Sequence, residues 1–112
     1  MSLVLVPIAA GKVEKWQQWA NDLQNGRAKE FKEFNSRYGI TRHAAWLAET
    51  PTGSVVAALH EGPGADTFMS KLANSDHDFD VWFKQRLSEY HNFNFSGPMP
   101  GSPPKLMINA VK

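Results

Sequence analysis

A single α+β domain, with antiparallel strands backed by helices on one face, is the fold this chain predicts. Three observations carry that expectation. A hairpin signature fills Thr41 to Glu61 (TRHAAWLAETPTGSVVAALHE). Helix-period apolar stripes stand on both sides of it. Short apolar strand patterns occupy the two ends, Leu3 to Ile8 and Lys105 to Val111. The chain has 112 residues, enough for one core and too few for two.

The hairpin organises the rest. Pro51 suits a turn position that wants φ fixed, and Gly53 one that wants φ above zero. A loop of Pro51, Thr52 and Gly53 pairs Thr50 with Ser54, His43 with Glu61 and Ala44 with His60. That register puts Arg42, Ala44, Trp46, Ala48, Val56, Ala58 and His60 on one face. A loop one residue longer would instead set His43 opposite His60, because a one-residue slip exchanges faces.

In the first strand, Leu3 and Leu5 face one way and Val4, Val6 and Ile8 the other. Apolar residues on both sides predict that both faces are covered. Pro7 marks an end that is not fully paired. After Ala10-Gly11, Val13, Trp16, Ala20 and Leu23 recur at helical spacing, with Trp19 widening the stripe. Asn25-Gly26 interrupts, and Arg27, Phe31, Phe34 and Tyr38 resume the pattern, so the segment is one kinked helix or two consecutive ones. Tyr38-Gly39 is a C-terminal stop. Beyond the hairpin, Gly62-Pro63-Gly64 connects to a short stripe of Ala65, Phe68, Met69 and Leu72. Asn74 to Asp78 breaks it and offers Ser75, Asp76 or Asp78 as a cap. The last helix carries Phe79, Phe83, Leu87 and Tyr90 on its core side, with Trp82 at the margin. Ser96 to Pro104 (SGPMPGSPP) is a Pro/Gly-rich connector, and Lys105 to Val111 alternates as a final strand.

The resulting order is β-α-β-β-α-β, a ferredoxin-like arrangement. Here the chain resembles the dimeric α/β-barrel superfamily, which includes antibiotic-biosynthesis-type monooxygenases and stress-responsive barrel proteins. Within it, GITRHAAWLAETPTGSVVAALHEG and SDHDFDVWFKQRLSEYHN are similar to a group of small uncharacterised bacterial proteins. These share a G-I-T-R-x-x-x-W-L-x-E-T-P-x-G hairpin and an F-D-x-W-F helix. The resemblance covers about Leu3 to Asn92. It implies a dimeric barrel, and a helix–sheet pocket that binds or oxidises a small aromatic without a bound cofactor.

Composition removes several classes of function. The net charge is +1, which gives no electrostatic case for nucleic acid or an anionic membrane. Cysteine is absent, which removes disulfides, thiolate metal sites and a Cys nucleophile, and fits the cytoplasm. No apolar run reaches the roughly 20 residues of a membrane helix. There is no G-x-G-x-x-G, no P-loop, no G-x-S-x-G and no H-E-x-x-H. Asp76-His77-Asp78 invites a metal, but capping and the helix dipole account for the acids, so no metal is expected.

What remains is a set of aromatics (Trp16, Trp19, Trp46, Trp82, Phe83) beside small residues (Ala44, Ala48, Ala58). The candidate pocket residues are Arg42, Trp46, His60, Trp82, Arg86 and His91. Two classes of function stay open. One is a ligand-binding protein or enzyme with a helix–sheet pocket. The other is a structural or regulatory homodimer with a filled core. In either class, helices on one face leave the second sheet face to be covered by a second copy.

Overall fold

The hairpin closes through a turn one residue shorter than expected. In the computed structural model, which describes residues 1–92 and 104–111, Pro51 and Thr52 alone form the loop and Thr50 pairs with Gly53. The Thr50 hydroxyl donates to the Gly53 carbonyl at 2.6 Å, and Gly53 holds φ at 135°. The hydroxyl thus braces the turn from inside, and a left-handed Gly completes it with no third loop residue. Strands β2 (Arg42–Thr50) and β3 (Gly53–Glu61) pair antiparallel, and β1 (Ser2–Pro7) joins the other edge of β3. The sheet therefore runs β1-β3-β2. Pro7 sits on an edge strand, where a missing N–H is tolerated.

The segment between β1 and β2 forms two helices, α1 (Val13–Gln24) and α2 (Ala28–Arg37). They separate at Asn25-Gly26-Arg27, where the N–H of Arg27 reaches the Asp22 carbonyl at 2.7 Å. Gly39 ends α2 at φ 67°, as the stop signal predicts. A 3-10 turn, Ala65–Thr67, leads into the short helix α3 (Phe68–Ala73), and α4 runs Asp78–His91. The cap of α4 is His77, whose Nδ1 accepts the Phe79 N–H at 3.3 Å. Ser75, one of the expected caps, instead donates to Asp80 at 2.6 Å. Gly64 is fixed by contact: a Cβ there would drive into the Tyr38 carbonyl, at the point where Gly64 N–H donates to Gly39 O at 3.0 Å.

The alternation in β1 and β3 sends Val6, Val56 and His60 to one face, and the helical stripes pack there. Phe34 and Leu72 are wholly buried, and Phe83 is 4% exposed. Phe83 stands at the centre of a ring cluster. Its centroid lies 4.8 Å from Phe34, 5.0 Å from Trp19 and 6.2 Å from Phe31. Trp82 packs at the margin, 5.4 Å from Phe79, under the Arg27 guanidinium at 4.3 Å.

One ionic cluster ties α2 to α4. Asp80 is fully buried, and its carboxylate accepts from both Arg37 amino groups (2.7 and 3.1 Å), from Ser75 and from the Tyr38 hydroxyl. Both oxygens accept hydrogen bonds and a guanidinium pairs the charge, which is the condition under which a buried charge is tolerated. These bonds outweigh desolvation and hold the Asp80 carboxyl down at about 2.

One expectation fails. Residues 105–111 do not form a strand; they carry no regular secondary structure and are exposed, with Ile108 at 85% and Met107 at 78%. Alternation is a local signal, whereas a strand requires a partner edge, and here no ladder joins the segment to β1. Within the single chain the outer face of the sheet stands open, with Leu5 54% and Trp46 51% exposed. The expected connector lies outside the described residues apart from Pro104. No helix among the described residues is long and apolar enough to cross a membrane.

The ring cluster generates a stability prediction. Phe83→Ala removes the shared member and should destabilise by about 3–5 kcal/mol, the range for emptying a core aromatic. Trp82→Ala should cost less, because the ring is partly solvated. Denaturant melts of the two variants decide this, and equal losses would place Trp82 in the core as well.

Candidate functional site

Between the inner face of the sheet and the helices lies a cavity of about 380 Å³. That is within the size range of small-molecule sites. Its walls include five aromatic rings: Trp16 and Trp19 from α1, Phe31 from α2, Phe68 from α3 and Phe83 from α4. The space exists because Ala45 on β2 and Ala58 on β3, which face each other in the register, present methyl groups where larger residues would meet the rings. Gln24 and Ala45 border the cavity and are both exposed, so this edge is its opening to solvent.

The polar groups in the wall are concentrated on the sheet. His43 and His60 are directly opposite in the β2–β3 register, and their rings meet edge-on with centroids 4.5 Å apart. Phe68 packs on both, 5.7 Å from His43 and 4.7 Å from His60. His43 Nδ1–H donates to Asn35 Oδ1 on α2 at 2.8 Å. Nδ1 of His60 and the indole Nε1 of Trp19 are buried and find no hydrogen-bond partner among the described residues. At the far end, His91 Nδ1–H donates to the Pro7 carbonyl at 2.9 Å.

These imidazoles are held neutral. Burial pushes His60 down to about 4. Burial, with the neighbouring His60, pushes His43 down to about 3. Burial also lowers His91, against the pull of the Pro7 carbonyl. Groups this weakly basic do not take up protons at neutral pH. They can offer lone pairs and N–H bonds to a ligand, but they make poor general bases.

Of the six residues the sequence singles out, His60 and His91 line this cavity. Trp46 and Arg42 do not. The shorter turn pairs Ala44 with Leu59 and His43 with His60, which moves Trp46 to the outer face, away from His60. There the Arg42 guanidinium lies 5.9 Å from the Trp46 ring and bonds Glu61 at 3.1 Å. The expectation that Trp46 and His60 share a wall is thereby corrected. Trp82 sits behind Trp19, at 6.5 Å, and is not part of the wall. Nor is Arg86, whose Nε is buried without a partner among the described residues. The sequence reading missed His43 and Asn35. The signal for His43 was the alternative loop length that brings the two histidines opposite each other.

The Asp76-His77-Asp78 stretch uses His77 as the cap of α4 and leaves all three side chains exposed. Among the described residues, no three His, Asp or Glu side chains gather as a metal site would require. Compared with family profiles, with curated proteins and with solved structures, the chain matches none.

The two sheet histidines predict an acid response that sets in above the carboxylate range. Each binds its proton less readily folded than unfolded, so the unfolded chain gains protons first as pH falls below about 6.5. Stability should therefore fall from about pH 6.5 down to about 4, where folded His60 itself titrates. His60 alone should account for roughly 2 kcal/mol between pH 7 and pH 5. Asp80, depressed to about 2, adds its loss only below about pH 4. Denaturant melts at pH 7, 6 and 5 measure the slope. In His60→Leu that slope should shrink, whatever the variant's absolute stability.

Proposed function

We propose that this chain binds a small, flat, largely apolar molecule in the cavity between helices and sheet. The observation that carries this reading is a ring-lined space of about 380 Å³ with a solvent edge, left open by Ala45 and Ala58 rather than filled. A core of this many aromatics would close that volume if it served packing alone, since interiors tolerate few voids larger than a water. The cavity thus favours the ligand reading over a dimer with a filled core. The groups that reach it are suited to recognition: weakly basic imidazoles and an indole N–H. An oxidation within it, as the barrel resemblance implies, would draw its reactivity from the bound molecule.

The assembly we propose is a homodimer through the outer sheet face, in the manner of a dimeric α/β barrel. Leu3, Leu5 and Trp46 stand exposed there, and Ala57 and Leu59 extend the same face between them. A two-fold axis would bury this patch on both chains at once. The order β1-β3-β2 is that of a ferredoxin-like sheet whose fourth strand would lie beside β1. Residues 105–111, with Leu106, Ile108 and Val111 exposed, are the segment suited to that edge.

Two measurements test this reading. Naphthalene should raise the melting temperature and quench Trp16 and Trp19, with about 2.7 kcal/mol of stabilisation at a hundredfold excess over its Kd. Ala58→Phe should abolish both effects; an unchanged melt in the wild-type chain would end the ligand reading. Light scattering should give about twice the 12.5 kDa chain mass, falling to one chain in Leu5→Glu. A wild-type mass of one chain would end the dimer.

A further inference from the structure

The polar side chains that border the cavity are three imidazoles, two indoles and one amide; no carboxylate, ammonium or guanidinium joins them among the described residues. An ion placed there would lose its water and find no counter-charge. The lining therefore discriminates by charge before it discriminates by shape.

It also has a polarity, set by a residue that does not border the cavity. The Asn35 side-chain oxygen lies 2.8 Å from Nδ1 of His43. An amide oxygen only accepts, so Nδ1 carries the hydrogen, and in the neutral ring Nε2 carries a lone pair. The ring stays neutral because it is buried beside His60. Phe31 and Phe83, both cavity walls, flank the same ring at 5.0 and 6.2 Å. A hydrogen-bond donor on a flat ligand resting on these walls has His43 as its acceptor.

We propose that the cavity selects uncharged, one- or two-ring molecules that donate a hydrogen bond to Nε2 of His43, and that Asn35 is the positioning residue that fixes this preference. The proposal rests on the ligand reading above. It adds the class of ligand: neutral ring compounds bearing an N–H or O–H, in preference to plain hydrocarbons, carboxylates or amidinium cations.

Five small probes and one spectrum test it on the 112-residue chain. Indole and indene share a shape and differ in one N–H. Benzamide, benzoate and benzamidine share a shape and differ in charge. By titration calorimetry at pH 7, indole should bind about tenfold tighter than indene, the worth of one well-made hydrogen bond. Benzamide should bind, and benzoate and benzamidine should bind at least tenfold more weakly. The imidazole ¹⁵N spectrum of the wild-type chain should show His43 protonated at Nδ1, with the Nε2 resonance shifting on addition of indole and not of indene. In Asn35→Leu the indole preference should fall to near unity while indene affinity holds, which a merely structural role for Asn35 would not produce. Equal binding of indole and indene, binding of either ion as tightly as benzamide, or His43 protonated at Nε2 would overturn the proposal. If indene binds without preference, the ligand reading survives and this inference does not. If none of the five binds, both fall. Should Asn35→Leu fail to fold, the wild-type spectrum and the probe series still decide.

Discussion

The parity of one strand pairing governs this molecule. In an antiparallel ladder, the sum of two opposed residue numbers decides which side chains share a face, and the Pro51-Thr52 turn sets that sum. With Thr50 opposite Gly53, His43 and His60 look at the helices together with Ala45, Ala58, Leu47 and Val56. With one more loop residue, one arm would turn over relative to the other. Either His43 would leave the core for solvent, or His60 and Val56 would. The cavity, its histidine pair and the apolar outer face all follow from a turn braced by one Thr hydroxyl.

The helices respond to that face with rings rather than aliphatic chains. Phe34, Phe79 and Phe83 lie within 4.8–6.2 Å of one another, and Trp19 and Phe31 extend the cluster toward the cavity. Aromatic clusters leave angular gaps, since offset and edge-on contacts hold centroids well apart. Alanines on the facing strands leave those gaps unfilled. The Asp80 cluster then fixes α2 against α4 at the end nearest the α4 cap, so the roof of the cavity is held by charge-assisted bonds as well as by packing.

Much of this was legible in the residues. Both interruptions and the stop at Gly39 lie where Asn25-Gly26, Asn74 to Asp78 and Tyr38-Gly39 indicate, because such signals act through local backbone preferences. The core side of α4 was legible too, since Phe79, Phe83 and Tyr90 keep a helical period. The loop length was not, because Pro51, Thr52 and Gly53 are compatible with two turn geometries, and the choice between them lies in a hydrogen bond from Thr50. That single ambiguity displaced Trp46 and Arg42 from the site and concealed His43. The strand at residues 105–111 failed for a different reason. Its alternation states that it is able to pair, while the presence of a partner edge is a property of the whole assembly.

The contact between Gly39 and Gly64 has a kinetic side. There the end of α2 is stitched to the loop after β3 by Gly64 N–H to Gly39 O, while Thr41 N–H reaches Glu61 O at 2.7 Å. The first bond ties the end of α2 to the histidine end of the sheet with no room for a methyl group at Gly64, and the second closes the two hairpin arms on each other. The two segments cannot part at that end without breaking the Gly64–Gly39 bond.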